Sequence, residues 1–151
     1  MSRAAQTSTE TLGANPRPRG WSLRLRQPRT VDLIRAVERG FPITRLAHFQ
    51  KVSGLSLARI AQCAGIPRRT ISRRQREGRL DAAESERLLR LSRTFELAVE
   101  LFDGDIEAAR HWLERPQRAL GGERPIEFAA MEVGAREVEN LIGRLEHGVF
   151  T

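Results

Sequence analysis

The sequence predicts an all-α protein in two parts. Apolar residues recur every three or four positions in one segment after another, and no segment alternates convincingly as a half-buried strand would. Residues 1–81 carry 17 basic and 5 acidic side chains, whereas residues 82–151 carry 9 basic and 14 acidic ones. The net charges are therefore +12 and −5, which predicts two surfaces for two different kinds of partner.

The chain begins with a segment, residues 1–29, that is predicted to be a flexible arm. Residues 2–20 are rich in Ser, Thr, Ala, Gly and Pro and contain almost no large apolar side chain. Trp21, Leu23 and Leu25 alternate with polar residues, which favours a short extended piece.

Four helices are predicted in residues 30–81, which we interpret as the first domain. Each helix is bounded by residues that are typical of helix ends. The bounding pairs are Thr30 and Gly40, Pro42 and Gly54, Ser56 and Gly65, and Pro67 and Gly78.

Residues 82–151 are interpreted as a second, helical domain. An apolar pattern from Ala83 to Phe102 predicts its longest helix. Three shorter helices are predicted after it. The first is capped by Asp105 and ends at Leu113, and the second begins at Pro125 and ends near Gly134. The last helix ends at Gly148, and its apolar residues are Val138, Leu141, Ile142 and Leu145.

The third and fourth predicted helices fit a helix-turn-helix motif, in which two short helices meet at a tight turn. The order of small and apolar residues in these two helices and their turn matches the motif. Ile60 and Ala64 face inward, Ala61 lies at the crossing, Gly65 makes the turn, Ile66 fills the junction and Ile71 anchors the second helix.

The fourth predicted helix is rich in arginine. Residues 64–79 contain six arginines and a single acid, Glu77. At about 100° per residue, one arc of about 140° holds Arg68, Arg69, Ser72, Arg73 and Arg76. Such a face suits a recognition helix that contacts base edges and phosphates, and Thr70, beside the arc, completes the predicted DNA-binding set. A solvated charged face is the alternative.

Arg74 of the same predicted helix falls on the inner side, where we expect it to pair with Glu84 or Glu86.

Several classes of function are disfavoured. Cys63 is the single cysteine, so no internal disulfide forms and a reducing cytoplasm is expected. His48 and His111 lack ligand spacing with each other or with Cys63, and no nucleophile–base set or nucleotide loop is found, so we predict no enzyme, metal or cofactor. No apolar run approaches the roughly 18 residues of a membrane span, and no signal-peptide core is present.

A series of short motifs carries a family resemblance. In order, the motifs are Arg73 and Arg74, EGRL at 77–80, SERLLRL at 85–91, Leu101 and Phe102, ARHWL at 109–113, Pro116, LGG at 120–122, Pro125, Gly134, Val138, Leu141 and HGVF at 147–150. In this order and spacing, the stretch from about residue 43 to 151 resembles the Xre/MbcA/ParS antitoxins, which are the partners of RES-domain toxins.

The resemblance implies an Xre-like helix-turn-helix domain followed by a small all-α toxin-binding domain. Members of this family neutralise a toxin that acts on NAD, and commonly repress their own operon. The implied partners are a RES-domain toxin and operator DNA, with a homodimer inside a hetero-oligomeric complex. A stand-alone transcription regulator, whose second half only dimerises, is the alternative.

In the implied complex the C-terminal region, here Gly143 to Thr151, lies at the entrance of the toxin's active site. The candidate toxin-binding residues are Trp112, Gly121, Gly122, Phe128, Arg144, His147, Gly148, Val149 and Phe150. Each has a structural alternative. Aromatic residues are often core, glycines often serve backbone geometry, a surface arginine is often solvated, and a histidine at a helix end can interact with the helix dipole. Val149 and Phe150 can fold back onto the protein or anchor a partner.

Overall fold

The protein is all-α in this computed structural model, which describes residues 17–26 and 29–148. Within those residues the α-helices are Thr30–Arg39 (α1), Ile43–Ser53 (α2), Leu57–Cys63 (α3), Arg68–Glu77 (α4), Ala82–Leu101 (α5), Ile106–Leu113 (α6), Pro125–Phe128 (α7) and Glu132–Glu146 (α8). Short 3-10 helices lie at Trp21–Leu23 and Arg118–Leu120. The all-α prediction is confirmed, since the sole extended pairing in the described ranges is an isolated bridge between Pro42 and Arg79.

Most helix ends lie where local chemistry predicts them. The Ser56 side chain caps α3 by accepting a hydrogen bond from the Arg59 amide at 3.1 Å. Asp105 caps α6 in the same way, with the Ala108 amide at 3.0 Å. Gly78 ends α4 at a φ of +82°, a left-handed conformation that glycine adopts without a steric penalty.

The predicted end of the short helix after Pro125 is wrong. This helix stops at Phe128, and Gly134 lies inside α8 instead of ending α7. The reason is a close approach between the two helices. A Cβ built on Gly134 would lie 1.7 Å from the Phe128 carbonyl oxygen, so glycine lets α8 pack directly against the end of α7.

The 20-residue helix α5 is the central element of the fold. It contacts α1, α2 and the Trp21–Leu23 turn, which precede it in the chain, and α6, α7 and α8, which follow it. Phe95 of α5 meets Phe49 of α2 edge to face, with ring centroids 5.5 Å apart. The main apolar cluster joins residues from both sides of residue 81, including Phe41, Phe49 and Leu113.

A second, smaller apolar cluster lies under α8. Of the residues predicted to form the inner face of this helix, Val138 is fully inaccessible, Ile142 is 1% exposed and Leu141 is 6% exposed, whereas Leu145 is only half-buried. In the described part of the chain, no helix has the length and apolar composition that crossing a membrane would require.

The segment before α1 differs from the sequence prediction. Trp21 to Leu23 form a 3-10 turn, so the predicted extended piece is wrong, and the described part of the predicted arm, residues 17–26, packs against α2 and α5. Leu23 is fully buried, and the Trp21 ring lies 5.9 Å from that of Phe95.

A buried carboxylate explains the turn. Glu96 of α5 is 8% exposed and accepts hydrogen bonds from the amide of Gly20 at 2.9 Å and from that of Ser22 at 3.0 Å. The Ser22 hydroxyl donates a further hydrogen bond at 2.5 Å. Three donors from one turn thus converge on one side chain, an arrangement that an extended segment would not provide. We call this contact the Glu96 clamp.

We predict that Glu96→Gln lowers the free energy of unfolding by about 1–3 kcal/mol, because an amide NH₂ would face a buried donor that then lacks an acceptor. Glu100→Gln is the matched control, since Glu100 is exposed and lies about one turn further along α5. Urea denaturation followed by circular dichroism measures both variants. Equal unfolding free energies would show that the Glu96 clamp does not stabilise the fold.

Candidate nucleic-acid and partner interfaces

Helices α3 and α4 form the predicted helix-turn-helix. Ile60 and Ala64 are fully buried, and Ile66 and Ile71 are each 3% exposed. Gly65 makes the turn at a φ of +63°, which allows the Ile66 amide to donate to the Ala61 carbonyl at 2.8 Å. The inward side chains lock the two helices together, so the opposite side of α4 is left to face outward.

The arginine face of α4 is exposed, as the arc predicts. The exposed residues are Arg68, Arg69, Ser72, Arg73 and Arg76, while Thr70 is half-buried beside them. Arg73 lies 3.6 Å from Glu77, and among the described residues no acid lies within ion-pair distance of Arg68, Arg69 or Arg76. No acid occupies the first turn of α4 either, so the positive end of the helix dipole adds to the arginine charge. This face attracts anions.

Arg74 takes the inward position that the sequence predicts. Its guanidinium lies 2.8 Å from Glu84, 2.8 Å from Glu77 and 3.1 Å from Asp81. The hydrogen bonds to Glu77 and Glu84 raise the pKa of Arg74 above its usual value. The predicted pairing with Glu84 is confirmed, whereas Glu86 pairs with Arg90.

The Glu84 side chain accepts hydrogen bonds from α4 and from the start of α5. Its carboxylate accepts from the Asp81 amide at 2.8 Å, and the Asp81 side chain accepts from the Glu84 amide at 2.7 Å, which makes a capping box at the start of α5. The same Glu84 oxygen accepts from Arg74 of α4. Helix α4 is therefore attached directly to the cap of α5.

A second ion-pair group joins the helix-turn-helix to α6 and α7. Arg59 of α3 is 18% exposed and reaches Glu127 at 2.9 Å and Glu114 at 3.4 Å. The hydrogen bond from Arg59 lowers the pKa of Glu127, and burial raises the pKa of the nearby Cys63 thiol. Sequence reasoning missed Arg59 because its partners lie far along the chain, and no local pattern marks them.

The candidate toxin-binding residues lie at two places on the second half of the chain. Trp112 and Phe128 are half-buried, and the Trp112 ring lies 6.4 Å from that of Phe102. Trp112 packs against both apolar clusters, so it has a structural role whether or not it also contacts a partner. Gly121 and Gly122 are exposed, with φ of +67° and +87°, and they allow the backbone to turn after Leu120.

The other candidates gather at the end of α8. Arg144 is half-buried there, and His147 and Gly148 are exposed. Val149 and Phe150 lie outside the described residues. A role for any of these side chains in toxin binding stays a prediction. In residues 17–26 and 29–148, no group of three or more His, Cys, Asp or Glu side chains is placed to hold a metal ion.

Fold and surface together define an all-α helix-turn-helix protein with an exposed basic face and further helices after the motif. Residues 32–93 match the model of the antitoxin Xre-like helix-turn-helix domain, and residues 97–148 match that of the antitoxin Xre/MbcA/ParS C-terminal toxin-binding domain. The first match begins at residue 32, earlier than the resemblance placed at about residue 43.

Two curated relatives agree with these matches. An antitoxin Xre of Yersinia enterocolitica is 38% identical over 120 residues, which cover 79% of this chain and 81% of that protein. An antitoxin Xre of Photorhabdus laumondii is 41% identical over 113 residues, or 74% of this chain and 76% of that one. The chain belongs to the Xre antitoxin family, as its motifs predicted. It is an antitoxin of a toxin–antitoxin system with a helix-turn-helix domain.

We predict that Arg74→Met lowers the midpoint of thermal unfolding, because the buried Glu84 then loses its arginine partner. Arg76→Met is the matched control, as it removes an exposed arginine from the same helix. Differential scanning calorimetry at neutral pH compares the two proteins with wild type. If both midpoints equalled that of wild type, Arg74 would not hold α4 against α5.

Proposed function

We propose that this antitoxin neutralises a RES-domain toxin that consumes NAD, and that it represses its own operon by binding operator DNA through α4. One observation supports the proposal of DNA binding. The arginine face of α4 is exposed, and the opposite side of this helix is packed inside the helix-turn-helix. In this proposal DNA contacts come from residues 30–81 and toxin contacts from residues 82–151.

Two kinds of contact are proposed within the arginine face. Side chains near the start of α4, namely Arg68, Arg69 and Ser72, reach base edges in the major groove, where arginine pairs bidentately with guanine. Arg73 and Arg76 hold phosphates, and Thr70 supports the contact from the edge of the face. We propose a homodimer, so the operator is an inverted repeat with half-site centres about one helical turn apart.

Replacing Arg68, Arg69 and Arg73 with alanine is expected to abolish operator binding without unfolding the protein, since all three side chains are exposed. The control replaces three exposed arginines of the second half, Arg115, Arg118 and Arg136, and removes the same charge. Fluorescence anisotropy with the promoter fragment, over a range of salt concentrations, measures affinity.

Variants with a single arginine replaced test whether that arginine contacts a phosphate. Each phosphate contact that is lost reduces the slope of log affinity against log salt by about 0.9. A single Arg76→Ala variant is therefore expected to bind more weakly and with a shallower slope. Operator binding by the triple variant at wild-type affinity would show that α4 is not the recognition helix.

For the toxin, we propose that the end of α8 and the residues after it reach the entrance of the toxin's active site. Val138 and Ile142 fix α8 to the body of the protein, and a fully buried aliphatic side chain contributes about 1.5–3 kcal/mol. With the helix held in this way, Arg144, His147, Gly148, Val149 and Phe150 are presented to the partner. Trp112, Gly121, Gly122 and Phe128 form the second proposed contact.

Deleting residues 148–151 is expected to weaken toxin inhibition and to leave DNA binding intact, because the buried side chains of α8 all precede the deletion. The assay titrates NAD consumption by the purified RES-domain toxin with intact and shortened antitoxin. A useful comparison is the Arg68, Arg69 and Arg73 triple variant, which is expected to inhibit normally. Equal inhibition by the intact and shortened proteins would place the interface at the second contact instead.

A further inference from the structure

A group of basic side chains lies where the turn at Trp21–Leu23 packs against α2. Arg45 of α2 donates to the carbonyl of Arg24 at 3.4 Å. Burial lowers the pKa of His48, and the charges of Arg24 and Lys51 lower it further, so both charges lie close to this imidazole. Arg24 and Lys51 are themselves exposed. We call these four residues the α2 basic cluster.

The positive charge of this cluster is not offset by nearby acids. Residues 17–31 and 39–76, which include the turn, α2, α3 and most of α4, contain no Asp or Glu. Among the described residues, no acid lies within ion-pair distance of Arg24 or Lys51. Glu96 also contacts this turn, but it is buried and its oxygens accept hydrogen bonds from the turn itself. The exposed side of the cluster therefore attracts anions.

Arg24 has a backbone conformation that most residues avoid. Its φ is +56°, and in the described ranges Asp103 is the one other residue besides glycine with a positive φ. The fold holds this conformation, since the Arg24 amide donates to the Trp21 carbonyl at 3.1 Å and the Arg24 carbonyl accepts from Arg45. Strained residues of this kind concentrate at functional sites, so the exposed guanidinium of Arg24 is a candidate for binding.

Lys51 connects the cluster to the helix-turn-helix. It lies in the last turn of α2, shortly before Ser56, which caps α3. When the second helix of such a motif occupies the major groove, the first helix crosses the DNA backbone beside that groove. Here the first helix is α3, so the segment that leads into it approaches the same backbone.

We propose that Arg24 and Lys51 bind phosphates of the DNA strand that flanks the major groove occupied by α4. This inference rests on the proposed function, which supplies operator DNA as the partner. It extends the DNA-binding surface beyond residues 30–81 to the turn before α1, since Arg24 lies before residue 32, where the match to the helix-turn-helix domain begins. Phosphate contacts carry no sequence information, so these two residues add affinity for any duplex.

The test replaces Arg24 with Asn and Lys51 with Gln in the whole chain. Asparagine tolerates a positive φ and glutamine suits a helix, so both substitutions remove charge and keep the backbone. Fluorescence anisotropy with the promoter fragment is expected to give a slope of log affinity against log salt that is shallower by about 1.8, or about 0.9 for each lost contact. The matched control, Arg115→Gln with Arg118→Gln, removes the same charge from exposed positions and is expected to keep the wild-type slope.

The ratio of operator affinity to the affinity for an unrelated duplex distinguishes phosphate contacts from base contacts. The variant with Arg24→Asn and Lys51→Gln is expected to bind both duplexes more weakly by the same factor, so that the ratio stays unchanged. Arg68→Ala is expected to lower the ratio, because Arg68 is a proposed base contact. Phosphate ethylation that interferes with binding of wild type but not of the double variant then locates the two contacts on the operator.

The single variant Lys51→Gln is expected to reduce the slope by about 0.9, and it serves as the test if circular dichroism shows that the Arg24 substitution disturbs the turn. A wild-type salt slope, or a changed affinity ratio, would overturn the proposal.

The wild-type titration separates the two levels of the inference. If wild type does not bind the promoter fragment, the proposed function is wrong and these contacts fall with it. If wild type binds, the triple variant of α4 does not, and the double variant keeps the wild-type slope, only the roles of Arg24 and Lys51 are excluded.

Discussion

The contact between Arg74 and Glu84 is the constraint on which the arrangement of the two interfaces depends. Arg74 belongs to α4, and Glu84 belongs to the capping box that begins α5. Because α5 also supports α6, α7 and α8, one buried carboxylate fixes the arginine face relative to the toxin-binding domain. Arg59, with its ion pairs to Glu114 and Glu127, ties the two parts together at a second point. Charged contacts therefore join α4 to α5 and α3 to the end of α6 and to α7, in addition to the shared apolar core.

Much of the fold was predictable because helix ends are decided locally. Ser56, Asp105 and Gly78 act within three or four residues of the helix that they begin or end. The two errors arise where the outcome depends on a distant residue. Gly134 has the appearance of a helix stop, yet it serves a close approach to Phe128, and the turn at Trp21 forms because Glu96 lies opposite it. A local pattern carries no information about such partners.

The same distinction applies to the functional surfaces. The arginine face was predictable since all its members lie on one helix, whose period sets their directions. The family motifs, read in order, identified the toxin-binding domain. Individual toxin contacts depend on the surface of another molecule and stay beyond what one sequence can specify.

The Glu96 clamp joins residues 74 positions apart, so the ribosome makes Ser22 well before its acceptor exists. At about 5–20 residues per second, the delay is roughly 4–15 seconds. During synthesis Trp21 and Leu23 have no α5 on which to pack, and this arginine-rich start of the chain is open to chaperones and proteases. A product cut short before residue 96 would lack the carboxylate altogether. The turn at Gly20 to Leu23 can therefore be fixed against α5 only after residue 96 has been made.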